Sequence, residues 1–176
     1  IDQAWSVGFK VCGVSNFSRS AAFASRCVRN TSPGSTLPSV RFTITESVAA
    51  EPVVHDSHTG LAWQRCVGGI TGTACDVGSS GIYVPLVTAL DYCWNLSWGG
   101  QGDWFLPNTR ELLSILDTRQ FSPLLPPEFA GTSAGSSLWS STPQTESPMG
   151  TWVLSFTTGS MTVSGMQLSA SVRCAR

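Results

Sequence analysis

The sequence has almost no lysine and few charged residues of either sign. Lys10 is its one lysine, the other cations are arginines, and charged residues make up 12% of the 176-residue chain. That share is about half of what soluble domains usually carry. The formal net charge is −1, and long-range attraction to a polyanion needs an excess of positive charge. The composition therefore argues against a protein that binds nucleic acid.

The sequence also lacks a long apolar segment and the cysteine spacing of a zinc site. No stretch of about 18 consecutive apolar residues is present, so we expect no membrane span. The first three residues, Ile1-Asp2-Gln3, have neither the basic start nor the apolar stretch of an uncleaved signal peptide. No two cysteines are spaced C-x2-C, as zinc ligands commonly are. We expect neither a metal nor a cofactor.

What the sequence does contain is an even number of cysteines. They are Cys12, Cys27, Cys66, Cys75, Cys93 and Cys174. Six cysteines allow fifteen pairings, and the sequence leaves all of them open. The spacing favours Cys66–Cys75 around a Gly- and Thr-rich segment, Cys12–Cys27 around a hairpin, and Cys93–Cys174 across a long loop. Because disulfides persist in oxidising compartments, we expect a secreted or cell-surface protein.

One spacing pattern occurs twice, 147 positions apart. W-x3-F followed by R-C-x-R runs from Trp5 to Arg29 and again from Trp152 to Arg176. A duplicated structural unit shows this kind of self-similarity at a fixed separation. We therefore predict three parts: a tail half-repeat that forms a β-hairpin over residues 1–29, a linker over 30–40, and a module over 41–176.

Hydrophobic periodicity predicts strands at both ends of the chain. Alternating apolar residues predict an N-terminal hairpin of strands 4–12 and 20–29, with residues 13–18 as its turn. A short strand is expected over 40–44, followed by a hairpin of residues 53–54 and 61–63. The chain is predicted to close with a hairpin of residues 152–156 and 161–174.

Two segments between these strands are predicted to be helices. Residues 84–96 place Leu86, Leu90, Cys93 and Trp94 on one apolar face. The second helix begins at Asn108, which forms a capping-box pair with Glu111.

Residues 121–151 contain five prolines and many small polar residues, which predicts a long irregular loop. Loops of this length inside compact domains usually serve a function. The order of strands, helices, loop and strands predicts the α+β class.

Several motifs of this chain resemble those of a known bacterial family. They are Val54-x-Asp56-x2-Thr59-Gly60-Leu61-x-Trp63-Gln64, Ala89-x2-Tyr92-Cys93, Gly100-x-Gly102-Asp103-Trp104-x-Leu106-Pro107-Asn108-x2-Glu111-Leu112, Trp139-Ser140-Ser141-Thr142, Trp152-x3-Phe156-x2-Gly159 and Val172-Arg173-Cys174. In this order, over residues 41–176, they resemble the Legionella collagen-like protein C-terminal domain family. Phe105 departs from the family pattern, which usually has Arg after Asp-Trp.

This resemblance implies a C-type lectin-like fold with two helices, twisted antiparallel sheets and a long irregular loop. In that fold a disulfide joins the first helix to the last strand, which agrees with Cys93–Cys174. It also implies a bacterial surface or secreted setting, with relatives that act in adhesion and bind sulfated polysaccharides. Fold alone does not fix function.

Candidate catalytic and metal-binding residues are weak. His55 and His58 have the spacing H-x2-H but fall in a predicted turn, so we expect no metal there. Leu106-Pro107-Asn108 and Trp94-Asn95-Leu96 lack the carboxylates of the lectin calcium site. No G-x-S-x-G elbow is present, and every thiol has a predicted partner. We therefore expect no enzyme.

The leading hypothesis is an extracellular binding and adhesion module that recognises a glycan or a protein ligand at a cell surface. Its predicted contacts lie in the loop of residues 122–150 and in a turn over 157–165. The candidate ligand-binding residues are Trp98, Gln144, Glu146 and Met149. Because the loop has no Arg or Lys between Arg119 and Arg173, a basic glycosaminoglycan site is not expected.

Among the tryptophans, Trp98 is predicted at the surface. Four others are predicted to pack in the core: Trp63, Trp104, Trp139 and Trp152.

The alternative hypothesis is a structural role. The chain would be a subunit of a surface fibre or tandem array, a homo-oligomer assembled through the N-terminal hairpin.

Overall fold

The computed structural model describes residues 3–8, 13–18, 40–78, 81–130, 137–145 and 149–176. For 3–8 and 13–18 it describes the backbone alone. Four predictions lie outside these residues: the strand over 20–29, the disulfide Cys12–Cys27, the linker over 30–39 and the position of Glu146.

Along the described chain, six strands come first, then two helices, then four more strands. In order they are β1 (Gln3–Gly8), β2 (Gly13–Ser18), β3 (Phe42–Thr45), β4 (Val53–Asp56), β5 (Ala62–Gln64), β6 (Tyr83–Val84), α1 (Leu86–Trp94), α2 (Thr109–Ser114), β7 (Ser137–Pro143), β8 (Gly150–Ser155), β9 (Met161–Gly165) and β10 (Ala170–Ser171). This mixture of two helices with sheets confirms the predicted α+β class.

The described strands form three sheets. β1 pairs with β2, β3-β4-β5 form a second sheet, and the central sheet has the order β6-β10-β7-β8-β9. β10 runs parallel to β7, whereas every other described pair is antiparallel. The prediction of antiparallel sheets is therefore wrong at this pair. Alternation within a strand does not determine which distant strand will lie beside it.

Two segments predicted as turn or loop form strands instead. Residues 13–18 are β2 and pair with β1 from Gln3↔Ser18 to Gly8↔Gly13. β7 lies within the segment predicted to be irregular. β9 falls within the predicted strand 161–174, although it also overlaps the predicted turn over 157–165. These strands are rich in Ser, Thr and Gly, which favour turns locally. Pairing with a neighbouring strand supplies the stabilisation that their own residues do not.

The central sheet is buried on both faces. Successive residues of a strand point to opposite faces, and β7 and β8 follow this rule. Trp139 and Val153 pack in a core with α1. Leu138 and Leu154 pack in a second core with α2. The two helices therefore cover opposite faces of one sheet.

α1 is apolar on two sides, and the sheet covers only one. Leu86, Ala89 and Cys93 are buried, whereas Leu90 is exposed and 79% of Trp94 is accessible. The predicted face is therefore wrong for Leu90 and Trp94. Both lines of residues have helical spacing, so periodicity alone could not choose between them.

α2 begins as predicted. Asn108 Oδ1 accepts hydrogen bonds from the backbone N–H groups of Arg110 (2.9 Å) and Glu111 (3.0 Å). Glu111 Oε2 accepts from the Asn108 N–H at 2.7 Å. This capping box satisfies backbone donors that the first turn of a helix leaves unpaired.

Two predicted disulfides are present, Cys66–Cys75 and Cys93–Cys174. The second ties α1 to the C-terminal segment, where Cys174 O also accepts a hydrogen bond from the Gln64 N–H at 3.0 Å. Both bonds are compatible with an extracellular protein. In the described part of the chain, no helix has the length and apolar character that crossing a bilayer requires.

Candidate functional site

Asp56, at the end of β4, holds together the turn that follows this strand and the segment that precedes β3. Its carboxylate accepts hydrogen bonds from Arg41 Nε (2.8 Å) and Nη2 (2.6 Å), from the His58 N–H (2.9 Å) and from Thr59 Oγ1 (2.8 Å). Arg41 Nη2 also donates to Ser114 O at 2.8 Å. The D-x2-T-G motif thus holds one turn of the chain and, through Arg41, the end of α2.

The pKa of Asp56 lies below its ordinary value. Burial acts to raise the pKa, but the hydrogen bond from Arg41 and those from His58 and Thr59 outweigh it and favour the carboxylate. Asp56 is therefore ionised at neutral pH.

A groove of about 930 Å³ lies beside this turn. We call it the charged groove. Its charged and polar lining residues are Arg41, His58, Asp117, Arg119, Gln120 and Glu128. Its apolar lining residues are Val40, Phe42, Leu116, Pro126 and Pro127. A concave site with an apolar wall and a few polar groups is the usual form of a ligand site.

The loop of residues 118–123 forms one rim of the groove and is anchored at both ends. The Asp117 N–H donates to Leu124 O at 2.9 Å, and the Leu124 N–H donates to Phe156 O at 2.7 Å. Leu124 itself is buried, whereas Phe121 at the loop tip is 95% exposed. The loop therefore presents an aromatic ring to solvent from a fixed base.

Asp117 fixes Arg119 at this rim. Its carboxylate accepts from the Arg119 N–H (3.0 Å), from Nε (2.9 Å) and from Nη2 (3.1 Å). These bonds, led by the one from the guanidinium, lower the pKa of Asp117 despite partial burial. The contact holds the guanidinium in one orientation, with most of its surface accessible.

The far wall of the groove is supported by Arg173, which is fully buried. Its Nη1 donates to Gln64 O (2.8 Å) and its Nη2 to Ala130 O (3.0 Å), and the guanidinium lies 5.3 Å from the centre of the Phe129 ring. Burial, with a further effect from Arg65, lowers the pKa of Arg173 to about 9. It remains a cation at neutral pH and ties residue 130 to the sheet.

Trp98 is not a surface residue. Only 4% of it is exposed, and its Nε1 donates to Pro52 O at 2.9 Å. The neighbouring Gly99 and Gly100 have positive φ angles, and the tight turn they form folds the indole inward. The predicted surface position is therefore wrong. Trp63, Trp104 and Trp139 are buried as predicted, and Trp152 is partly buried against the α2 core.

Met149 and Gln144 lie away from the groove, near the start of α1. The Gln144 N–H donates to Gly150 O at 3.0 Å. Met149 is 68% exposed and its carbonyl accepts from the Met166 N–H at 2.9 Å, while Met166 O accepts from the Leu86 N–H at 3.1 Å. The structure thus does not gather the predicted contacts into one site, and their role in binding stays a prediction.

A second exposed surface is the outward side of α1. Val87, Leu90 and Trp94 are exposed at i, i+3 and i+7, so they form one line along the helix. We call this line the helix stripe.

The described residues offer few groups that could hold a metal ion together. His55 and His58 are exposed, and His55 Nε2 makes a hydrogen bond of 2.8 Å with Thr45 Oγ1. Across the described ranges, no three His, Cys, Asp or Glu side chains come together as a metal site.

The residues that the sequence analysis missed are those of the groove and the stripe. One signal for the groove was present: Phe121 is a lone aromatic residue between polar residues and a proline. Val87, Leu90 and Trp94 also had a readable spacing, but the same helix carried a second apolar line.

Comparison with known proteins gives one family. The model of the Lcl C-terminal domain matches residues 52–176, which include both helices, both described disulfides and most of the groove. No curated protein matches the chain.

Proposed function

Because the chain belongs to the Lcl C-terminal domain family, we propose that it is an extracellular bacterial binding module that recognises a ligand at a cell surface. The observation that carries this proposal is the charged groove with its anchored loop. Residues that contact a ligand commonly lie in loops that a rigid scaffold holds in position. Here the scaffold is the central sheet, with a core on each face and two disulfides. The loop is the segment of residues 118–123, which exposes Phe121.

A neutral glycan is the ligand class that the groove chemistry favours. Arg41 and Arg119 contribute two positive charges to the lining, and Asp117 and Glu128 contribute two negative ones. Asp56, which holds Arg41, adds a further negative charge. A sulfated polyanion would gain little here because the lining has no excess of positive charge.

The groove also offers the two kinds of contact that a sugar needs. Its guanidinium, carboxylate, imidazole and amide groups can exchange hydrogen bonds with hydroxyl groups. Phe121 does not line the groove but directly follows Gln120, which does, and its exposed ring can pack against the apolar face of a pyranose. This role would make the protein a carbohydrate-binding adhesin.

We propose that the module binds its ligand without converting it. Cys66, Cys75, Cys93 and Cys174 are in disulfides and are buried, and an oxidised cysteine cannot act as a thiolate nucleophile.

We also propose that the fold is C-type lectin-like and that the protein is secreted or displayed on the cell surface. The disulfide between α1 and the segment after β10, together with the pair of helices on a central sheet, supports the fold assignment.

A glycan array followed by calorimetry of the best binder tests the proposal. The array should carry neutral, acidic and sulfated oligosaccharides. We expect a neutral oligosaccharide to bind, and Phe121→Ala to weaken its affinity at least about tenfold, which corresponds to about 1.4 kcal/mol.

Val87→Ala is the matched control, because it removes an exposed apolar side chain from the helix stripe, on the other side of the central sheet, and should leave affinity unchanged. Affinity that survives both Phe121→Ala and Arg119→Ala would show that the groove is not the site. A bound protein instead of any glycan would overturn the ligand class but keep the binding role if Phe121→Ala still weakens it.

A second candidate role is structural assembly through the N-terminal hairpin. It is favoured by the observation that residues 3–8 and 13–18 pair with each other as a separate two-stranded sheet.

A further inference from the structure

The two hairpins at the ends of the chain have the same geometry. β8 spans residues 150–155 and β1 spans 3–8, a shift of 147 positions. Trp152 pairs with Val163, and Trp5, 147 positions earlier, pairs with Asn16, the equivalent of Val163. Gly150↔Gly165 and Gln3↔Ser18 are related by the same shift. β2 is therefore the equivalent of β9.

β9 presents an open edge in the described part of the molecule. It is the last strand of the central sheet. The Ser155 N–H donates to Ser160 O (3.0 Å) and the Met166 N–H to Met149 O (2.9 Å). Because hydrogen-bonded positions alternate along an antiparallel strand, residues 162 and 164 also bond to β8. The backbone groups of Met161, Val163 and Gly165 then face outward.

This edge has none of the features that usually block strand addition. Proteins protect exposed edges with charged side chains or proline. β9 reads Met-Thr-Val-Ser-Gly and β2 reads Gly-Val-Ser-Asn-Phe-Ser, with no charge and no proline in either. Unpaired backbone groups on such a strand gain hydrogen bonds when another strand joins the edge.

The strand that lies next to this edge is β2. Cα atoms of β2 and β9 approach within 8 Å of each other. The two equivalent strands, one from each hairpin, are thus close enough in space for β2 to reach the open edge of β9.

We propose that the open edge of β9 is an interaction surface whose occupant is β2 of the same chain. The hairpin would extend the central sheet from β9 through β2 to β1. This inference goes beyond both roles proposed above, because the contact joins the N-terminal hairpin to the module within one chain. It does not depend on ligand binding in the charged groove.

Amide hydrogen exchange of the full chain tests the proposal. The outward amide of Val163 should exchange at least about 100-fold more slowly than an unpaired amide, as the inward amide of Thr162 does. Asn16→Pro removes an N–H that, by the 147-residue shift, faces β9. We expect it to abolish protection at Val163 and to leave Thr162 protected. Asn16→Ala keeps the N–H and should preserve both.

Rapid exchange of Val163 in the unmodified chain, with Thr162 protected, would overturn the proposal. Sedimentation of the same samples separates the remaining outcomes. Protection that grows with concentration, together with a dimer, would show that β2 comes from a second copy and would overturn the same-chain assignment. Protection in a chain that never forms fibres would retain this contact and reject the assembly role.

Discussion

The charged groove and the helix stripe lie on opposite sides of the central sheet. They differ in whether their side chains are held by contacts with the rest of the protein. On the groove side, Arg41 is paired with Asp56 and Arg119 with Asp117. On the stripe side, Val87, Leu90 and Trp94 expose apolar surface. The groove side holds its shape through internal hydrogen bonds, whereas the stripe is held only by the buried side of its own helix.

This difference separates two kinds of recognition. Polar groups that the protein already holds in place can form hydrogen bonds with a polar ligand while losing little conformational entropy. An exposed apolar line gains mainly from being covered, since burial of apolar area is favourable at about 25 cal/mol per Å². Polar specificity therefore belongs to the groove, and the variants below test how far the two sides are independent.

The largest expected effect is on the stripe side, from loss of the disulfide that anchors α1. Cys93→Ser with Cys174→Ser should lower the free energy of unfolding by about 4 kcal/mol, because the bridge closes a long loop in the unfolded chain. The sequence separation of that pair is 81, against 9 for Cys66–Cys75. Serine replacement of the second pair should cost about 2.5 kcal/mol in the same model. Urea denaturation measures both, and the reverse order would refute the loop-closure explanation.

The next effect is on the groove side, from Asp56→Asn. The variant removes the charge that holds Arg41 and leaves the guanidinium over a neutral, buried group. We expect a loss of about 2 kcal/mol, below the value for a fully buried pair because the Arg41 side chain is 30% exposed. Asp103→Asn breaks the exposed pair with Arg176 and is the control. Equal losses in the two variants would contradict a special role for the groove turn.

Acid should weaken the ion pairs of the groove side. The pKa values of Asp56 and Asp117 are lowered in the folded state from an ordinary value of 3.8. Carboxylates of this kind stabilise the fold above that value, and their contribution is lost as the pH falls through the lowered pKa. Unfolding free energies between about pH 2 and pH 6 should therefore drop below about pH 4. The drop should be smaller in Asp56→Asn, and an identical drop in that variant would show that Asp56 does not contribute.

The smallest expected effect is from Trp94→Ser on the helix stripe. Its free energy of unfolding should change by about 0.5 kcal/mol or less, because the side chain is exposed. Trp98→Ser, its buried counterpart, should cost about 3 kcal/mol or more. Binding of a hydrophobic dye to the native protein should fall for Trp94→Ser. A loss in Trp94→Ser as large as that in Trp98→Ser would show that the stripe is covered in solution.

Much of the fold could be predicted where local chemistry decides it. The capping box of Asn108 and Glu111, the hairpin around Asp56 and the pairings Cys66–Cys75 and Cys93–Cys174 are all present. Family membership is likewise confirmed, over residues 52–176. The C-type lectin-like assignment, the division into 1–29, 30–40 and 41–176 and the absence of catalysis stay predictions.

The candidate site was harder to predict because it depends on which surfaces are covered. Trp98 directly precedes two glycines, so its sequence context suggested exposure, yet the turn buries it. Trp94 lies on a line of helical residues, so its pattern suggested burial, yet no element in the described ranges covers it. The groove draws on residues from 40 to 128, which no local pattern connects.

By itself, the sequence determined the features that short-range physics controls: the capped start of α2, the spacing of apolar residues and the thiols available for disulfides. Only the tertiary structure decided which side of α1 is buried, that β10 runs parallel to β7, and that β2 lies beside β9. Those outcomes depend on contacts between residues far apart in the chain. An apolar or β-forming sequence shows that a segment can be buried or can pair with another strand. Which segment it packs against depends on the fold of the whole chain.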